Sequence, residues 1–178
     1  MINDPADIKK FGVIFSVIFL PIALISFSSQ IFNCDLDDGN LELLLASCTE
    51  TEIIIPKFLA ILICSITSSI LNMPIIYIIF DLDIVSLSYL FLALIILLTL
   101  STALLILIAA IQSYFRSNAN LIALLIMPLL TPSIILTGLI IQDHQKLNLI
   151  SVIIGINLLL LPIILYLSSY LIKNIYNI

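Results

Sequence analysis

Charge divides this chain into alternating polar and apolar stretches. Charged side chains and the single histidine fall at 4–10, 35–57, 81–83, 116, 143–146 and 173, which leaves charge-free intervals at 11–34, 58–80, 84–115, 117–142 and 147–172. A hydrocarbon core of about 30 Å needs about 20 helical residues, and every interval meets that requirement. Backbone amides cannot stay unpaired in lipid. The long Ile/Leu runs lack the short alternating segments of a barrel, so helices are the spanning form. The pattern predicts an all-α polytopic membrane protein in one domain, residues 1–178, with five transmembrane helices at about 11–32, 58–80, 88–112, 121–141 and 149–172. A polar segment at 33–57 joins the first two.

Composition agrees with that class. Of 178 residues, 62% are hydrophobic and 10% charged, a balance that no soluble domain shows. The run from Phe11 follows Lys9 and Lys10 as a secretory signal would, but it stays apolar for too long and no small-residue cleavage pattern follows Phe32, so it is expected to be retained. A net charge of -5 argues against nucleic-acid binding and against a polybasic lipid-binding surface. Cys34, Cys48 and Cys64 show no CxxC spacing and are expected to be small packing side chains without a disulfide or metal. No internal repeat interrupts the single domain.

Orientation follows from lysine and arginine. With five spans, Lys57, Arg116 and Lys173 share one side, and Lys9, Lys10 and Lys146 share the other. A count without bias is unusual for a polytopic protein. Setting aside the N-terminal pair leaves three against one and places the 33–57 segment in the cytoplasm. The expectation is then that Met1 to Lys10 is an extracytoplasmic loop and that a further helix belongs before it.

The 33–57 segment has its own local logic. Asp38-Gly39 is a turn signal, and Asn40 is placed to cap a helix beginning just after it. At 100° per residue, Leu41, Leu44, Leu45 and Cys48 share a face, while Glu42 and Leu43 point elsewhere. Thr49 followed by Glu52 fits a capping box, and Pro56-Lys57 is expected to open the next span. A short amphipathic helix, a break and a second helix are predicted. Such a helix could lie passively at the lipid interface, but its acids disfavour contact with anionic headgroups.

These residues carry a resemblance. Asp35-Leu36-Asp37-Asp38-Gly39-Asn40-Leu41-Glu42-Leu43-Leu44-Leu45-Ala46-Ser47, with Pro56-Lys57-Phe58-Leu59-Ala60 after it, is similar to the cytoplasmic signature of the CcmB family. That family comprises permease subunits of the haem-exporter type ABC complex of cytochrome c maturation. Arg116-Ser117-Asn118-Ala119-Asn120-Leu121, leading to Met127-Pro128-Leu129-Leu130-Thr131-Pro132-Ser133, resembles its arginine loop and double-proline helix. The likeness covers roughly 30–140. It departs at Lys57, which follows a proline where the family tends to have a Leu-Ala pair.

The resemblance implies a six-helix ABC-2-like permease, here without its first helix, in the inner (cytoplasmic) membrane of a bacterium. It implies a cytoplasmic coupling helix in which Asp38, Gly39, Leu41, Glu42 and Leu43 meet an ATPase, with Arg116 on a cytoplasmic loop. The implied partners are an ABC ATPase subunit, a haem-handling membrane protein and a haem chaperone, besides membrane lipid. The subunit itself is expected to do no chemistry and to bind no cofactor. It has no GxxxxGK[ST] motif, so ATP belongs on the partner. Haem is the ligand to suspect as transported or handled. Direct support is slight, because His144 is the single histidine, in a loop, and no tryptophan is present for a Trp-rich haem-handling motif.

Three further readings follow from the residues alone. Pro128 and Pro132 should kink their helix and free carbonyls near residues 124 and 128. An ion-coupled carrier or an intramembrane enzyme would need ionisable groups within the spans, and the five intervals contain none. A non-transporting scaffold or assembly factor stays open, with Ser65, Thr67, Ser68, Ser69 and Asn72 available to bind neighbouring helices.

Overall fold

The computed structural model describes residues 5–115, 119–140 and 146–175, with side chains at 14–15, 17–115, 128–140 and 147–175. Seven helices follow one another: α1 (Pro5–Ile25), α2 (Ser28–Asp37), α3 (Asn40–Ser47), α4 (Glu50–Phe80), α5 (Ile84–Phe115), α6 (Ala119–Leu139) and α7 (Lys146–Lys173). Four segments among the described residues are long and apolar enough to cross a membrane, namely Val17–Asp37, Glu50–Phe80, Ile84–Phe115 and Leu147–Lys173. A shorter apolar stretch, Pro128–Leu139, lies in α6. The chain is an all-helical polytopic membrane protein.

The fold is organised around α5. Its 32 residues extend about 48 Å, more than the hydrocarbon thickness, and it packs against α1, α2, α4, α6 and α7. Every residue from Leu100 to Ala110 is buried, so the helix is enclosed on all faces through its middle. Ala103, Ala109 and Ala110 let neighbouring backbones approach, and Thr99 Oγ1 lies 3.0 Å from Asn157 Oδ1 across the α5–α7 contact. The outer helices are amphipathic in a different sense. Ile63, Ile70, Leu71 and Ile78 of α4 and Leu158, Leu159 and Ile163 of α7 are exposed apolar residues facing outward, as lipid solvent permits.

Local chemistry sets where the helices stop. α1 and α2 form one apolar run, but the chain turns at Ser26 and Phe27, where Phe27 N–H donates to Leu24 O at 3.0 Å, a tightened i−3 bond. α2 then continues to Asp37, so Asp35 and Asp37 stand on a helix and not in the loop expected from 33 onward. Helical bonds persist until Gly39, whose φ of 72° ends the run. Gly39, not Asn40, is the N-cap of α3, because Asn40 already has helical backbone and makes no side-chain cap bond. Cys48 and Thr49 are extended, which breaks α3 from α4. Glu52 Oε2 accepts from Thr49 N–H at 2.7 Å and from its hydroxyl at 2.9 Å, and this capping box starts α4 six residues before Pro56. Pro56 therefore sits inside α4 and does not open it.

Candidate functional site

The ends of α2, α4, α5 and α7 meet at one pole of the bundle, and α3 packs on α2 and joins them through Leu41. The apolar cluster there joins Phe32, Leu41, Ile53, Ile54, Ile106, Ala109, Ala110 and Ile172. Leu41 is the anchor of α3 and is fully buried. Leu44 and Leu45 are half-buried against the same cluster, while Glu42 is exposed and Leu43 is 69% exposed. Asp38 and Gly39 are exposed at the turn leading into α3. Cys48 is exposed too, because the extended backbone rotates it off the Leu41 face. α3 thus turns one stripe onto the bundle and offers a carboxylate and a leucine outward.

Polar contacts beneath α3 hold that pole together. Lys57, on the second turn of α4, pairs with Asp35 of α2 and donates to Ile31 O at 2.7 Å. Its ammonium also sits 4.8 Å from the Phe32 ring centroid. Both charged side chains are about three-quarters shielded, and three acceptors of different kinds compensate a cation that would otherwise be poorly solvated. Nearby, Gln112 Nε2 donates to Ser28 Oγ at 3.0 Å and the Ser113 hydroxyl to Asn33 Oδ1 at 3.1 Å, tying α5 to α2. On the opposite flank of α4, Lys173 of α7 lies 3.4 Å from Glu50. The short helix therefore rests on a platform whose members are cross-linked by charge and hydrogen bonds, and a force on α3 reaches α2 and α4 first.

A comparison of the sequence with protein families matches residues 9–170 to the family described as CcmB protein. The chain belongs to the CcmB family. It is similar over all 178 residues to two uncharacterized proteins of Rickettsia. One, from Rickettsia conorii, is 52% identical, and one, from Rickettsia prowazekii, is 49% identical; the match covers all of this chain and 82% of each relative. No solved structure matches. As a CcmB protein, the chain is a permease-type membrane component of the haem exporter of cytochrome c maturation.

Other expected positions in this CcmB protein are more scattered. Pro128 and Pro132 lie within α6 and face outward, so each removes a backbone donor without filling the core. Ser133 next to them is buried with no partner for its hydroxyl, while the Thr137 hydroxyl bonds Ser133 O at 2.8 Å. Arg116 and His144 lie outside the described residues. The polar residues of α4 mostly serve their own helix: Ser65 bonds Leu62 O, Thr67 bonds Ile63 O and Asn72 bonds Ser68 O. What the sequence reading missed was the partnership of Lys57 with Asp35 and of Glu50 with Lys173. The available signal was only a lysine at the edge of an apolar run with acids on the preceding segment, which does not name the partner. Gln112 and Ser113, polar residues in the longest charge-free interval, were another.

Proposed function

We propose that this CcmB protein is the transmembrane subunit of an ATP-driven complex in a bacterial inner membrane, and that α3 is the helix on which a separate ATPase subunit acts. The supporting observation is the division of α3 between an exposed Glu42 and Leu43 and a buried Leu41 that shares an apolar cluster with the ends of α2, α4, α5 and α7. A surface leucine beside a carboxylate at a helix of eight residues suits a groove on a partner better than it suits anionic headgroups. Closure of the ATPase on nucleotide would press α3 toward the bundle. Because Leu41 is packed, the helix would move as a rod and pass the displacement to α2 through Asp38-Gly39 and to α4 through Cys48-Thr49. The work so transmitted would serve haem export or release of a haem-loaded chaperone from a haem-handling membrane partner.

Co-purification tests the reading. Glu42→Lys and Leu43→Asp are expected to abolish recovery of the ATPase subunit with the membrane subunit while leaving its membrane level unchanged. Full recovery of the partner with both variants would remove α3 from the interface. A non-transporting scaffold would need no such partner, so absence of any nucleotide-binding subunit from the wild-type complex would favour that alternative.

A further inference from the structure

A second feature of the same pole lies between α4 and α7. The first turns of α4 and the last turns of α7 diverge around a cleft of about 350 Å³, lined by Glu50, Thr51, Ile54, Ile55, Leu165, Tyr166, Ser169, Tyr170 and Lys173. Its walls change character with depth. Descending α7 from Lys173 to Leu165 covers about 12 Å, and descending α4 from Glu50 to Ile54 covers about 6 Å. Over that distance the lining passes from an ion pair, through hydroxyls, to branched aliphatic side chains. The headgroup layer of a bilayer is only about 5–8 Å deep on each side, so the run on α4 matches its depth and the longer run on α7 reaches past it to the level of the first acyl carbons. Tyr166 and Tyr170, one turn apart on α7, are 72% and 58% exposed, as aromatic side chains at that boundary commonly are.

We propose that this cleft is a binding site for an aminophospholipid of phosphatidylethanolamine type, taken from the leaflet at the α3 pole. Lys173 and Glu50 lie 3.4 Å apart with opposite charge at the cleft mouth, and a zwitterionic headgroup carrying both a phosphate and a hydrogen-bonding ammonium complements both. The phosphate meets the Lys173 ammonium, and the lipid ammonium meets the Glu50 carboxylate. The first carbons of one acyl chain then run along Ile54, Ile55 and Leu165. An anionic headgroup without an amine satisfies Lys173 but confronts Glu50. A choline headgroup carries charge but no N–H to donate to the carboxylate. The occupant is therefore selected by its amine as well as by its tail. Occupancy would wedge the start of α4 against the end of α7, next to the platform that carries α3.

Native mass spectrometry of the purified, delipidated full chain, given dioleoyl phosphatidylethanolamine, phosphatidylcholine or phosphatidylglycerol in equal amounts, tests this. Retention of the ethanolamine lipid about tenfold above the choline lipid is expected. Lys173→Gln should lower ethanolamine-lipid retention several-fold. Glu50→Gln should lower it too and raise retention of the glycerol lipid, a change of preference that mere loss of structure does not produce. Ser169→Trp, which fills the cleft and leaves both charges, should abolish retention of all three. Equal retention of ethanolamine and choline lipids overturns the proposal. So does binding of glycerophosphoethanolamine or inorganic phosphate as strongly as the intact lipid, which would make the ligand soluble. So does a dimer that persists in the delipidated chain and is broken by Ser169→Trp, since a second copy would then be the occupant.

Discussion

At the residue scale the two faces of α3 have opposite energetic weight. Leu41 is fully buried, so Leu41→Ala removes a packed side chain and should destabilise the protein by about 2–5 kcal/mol. Leu43 is 69% exposed, and Leu43→Asp should change stability by no more than about 0.5 kcal/mol. Thermal unfolding in detergent distinguishes them, and equal losses would mean that α3 is not seated by Leu41. Lys57 makes a different argument. It and Asp35 are 26% and 27% exposed, and loss of one partner leaves the other shielded without compensation. Lys57→Met should cost about 1–3 kcal/mol. The exchanged pair Asp35→Lys with Lys57→Asp should recover part of that loss, though not the bond to Ile31 O, which needs a donor at position 57. An exchange no better than Lys57→Met alone would show that the Coulombic pair contributes nothing.

At the scale of elements, α6 holds two prolines where each forfeits an N–H that would have bonded the carbonyl four residues earlier. Since Pro132 faces outward, Pro132→Ala loses no core packing and restores a bond to Pro128 O. It should stabilise the protein by about 1–3 kcal/mol, read as a higher unfolding temperature, and should depress nucleotide-driven activity if α6 must bend. Unchanged stability would mean that the freed carbonyl already has a partner. The same scale explains what was legible in the sequence. The all-helical polytopic class was readable because charge is confined to a few stations, and a bilayer translates that spacing directly into helices. The buried face of α3 was readable because Leu41, Leu44 and Leu45 recur at helical period. The turn at Ser26 and Phe27 was not, since neither glycine nor proline marks it and the apolar run continues through it. Nor was the tie between Lys57 and Asp35, because 22 residues separate them and it takes the packing of both α2 and α4 on α5 to bring them together. Central burial of α5 was also hidden: in lipid the inner and outer faces of a helix are equally apolar, so hydropathy cannot say which helix is enclosed.

For the whole molecule, the question is which side of the membrane carries α3, because an ATPase can act only from the cytoplasm. The ends of α2, α4 and α7 gather Lys57 and Lys173 at the α3 pole, and cytoplasmic ends of membrane helices are enriched in such residues. The three cysteines provide internal markers. Cys34 and Cys48 are exposed near that pole, whereas Cys64 is exposed about 21 Å along α4 from Glu50, within a helix long and apolar enough to cross a membrane. A membrane-impermeant maleimide needs water and thiolate, so Cys64 should stay unlabelled from either side. Cys48 should be labelled in inverted vesicles and spared in intact cells, with a chain retaining Cys48 alone as the clean test. Labelling of that chain in intact cells would place α3 outside and leave no route by which nucleotide closure could reach it. Protection of Cys48 in inverted vesicles once the ATPase subunit is bound would go further, because Cys48 lies one residue beyond the C-terminus of α3, where a partner seated on that helix would cover it.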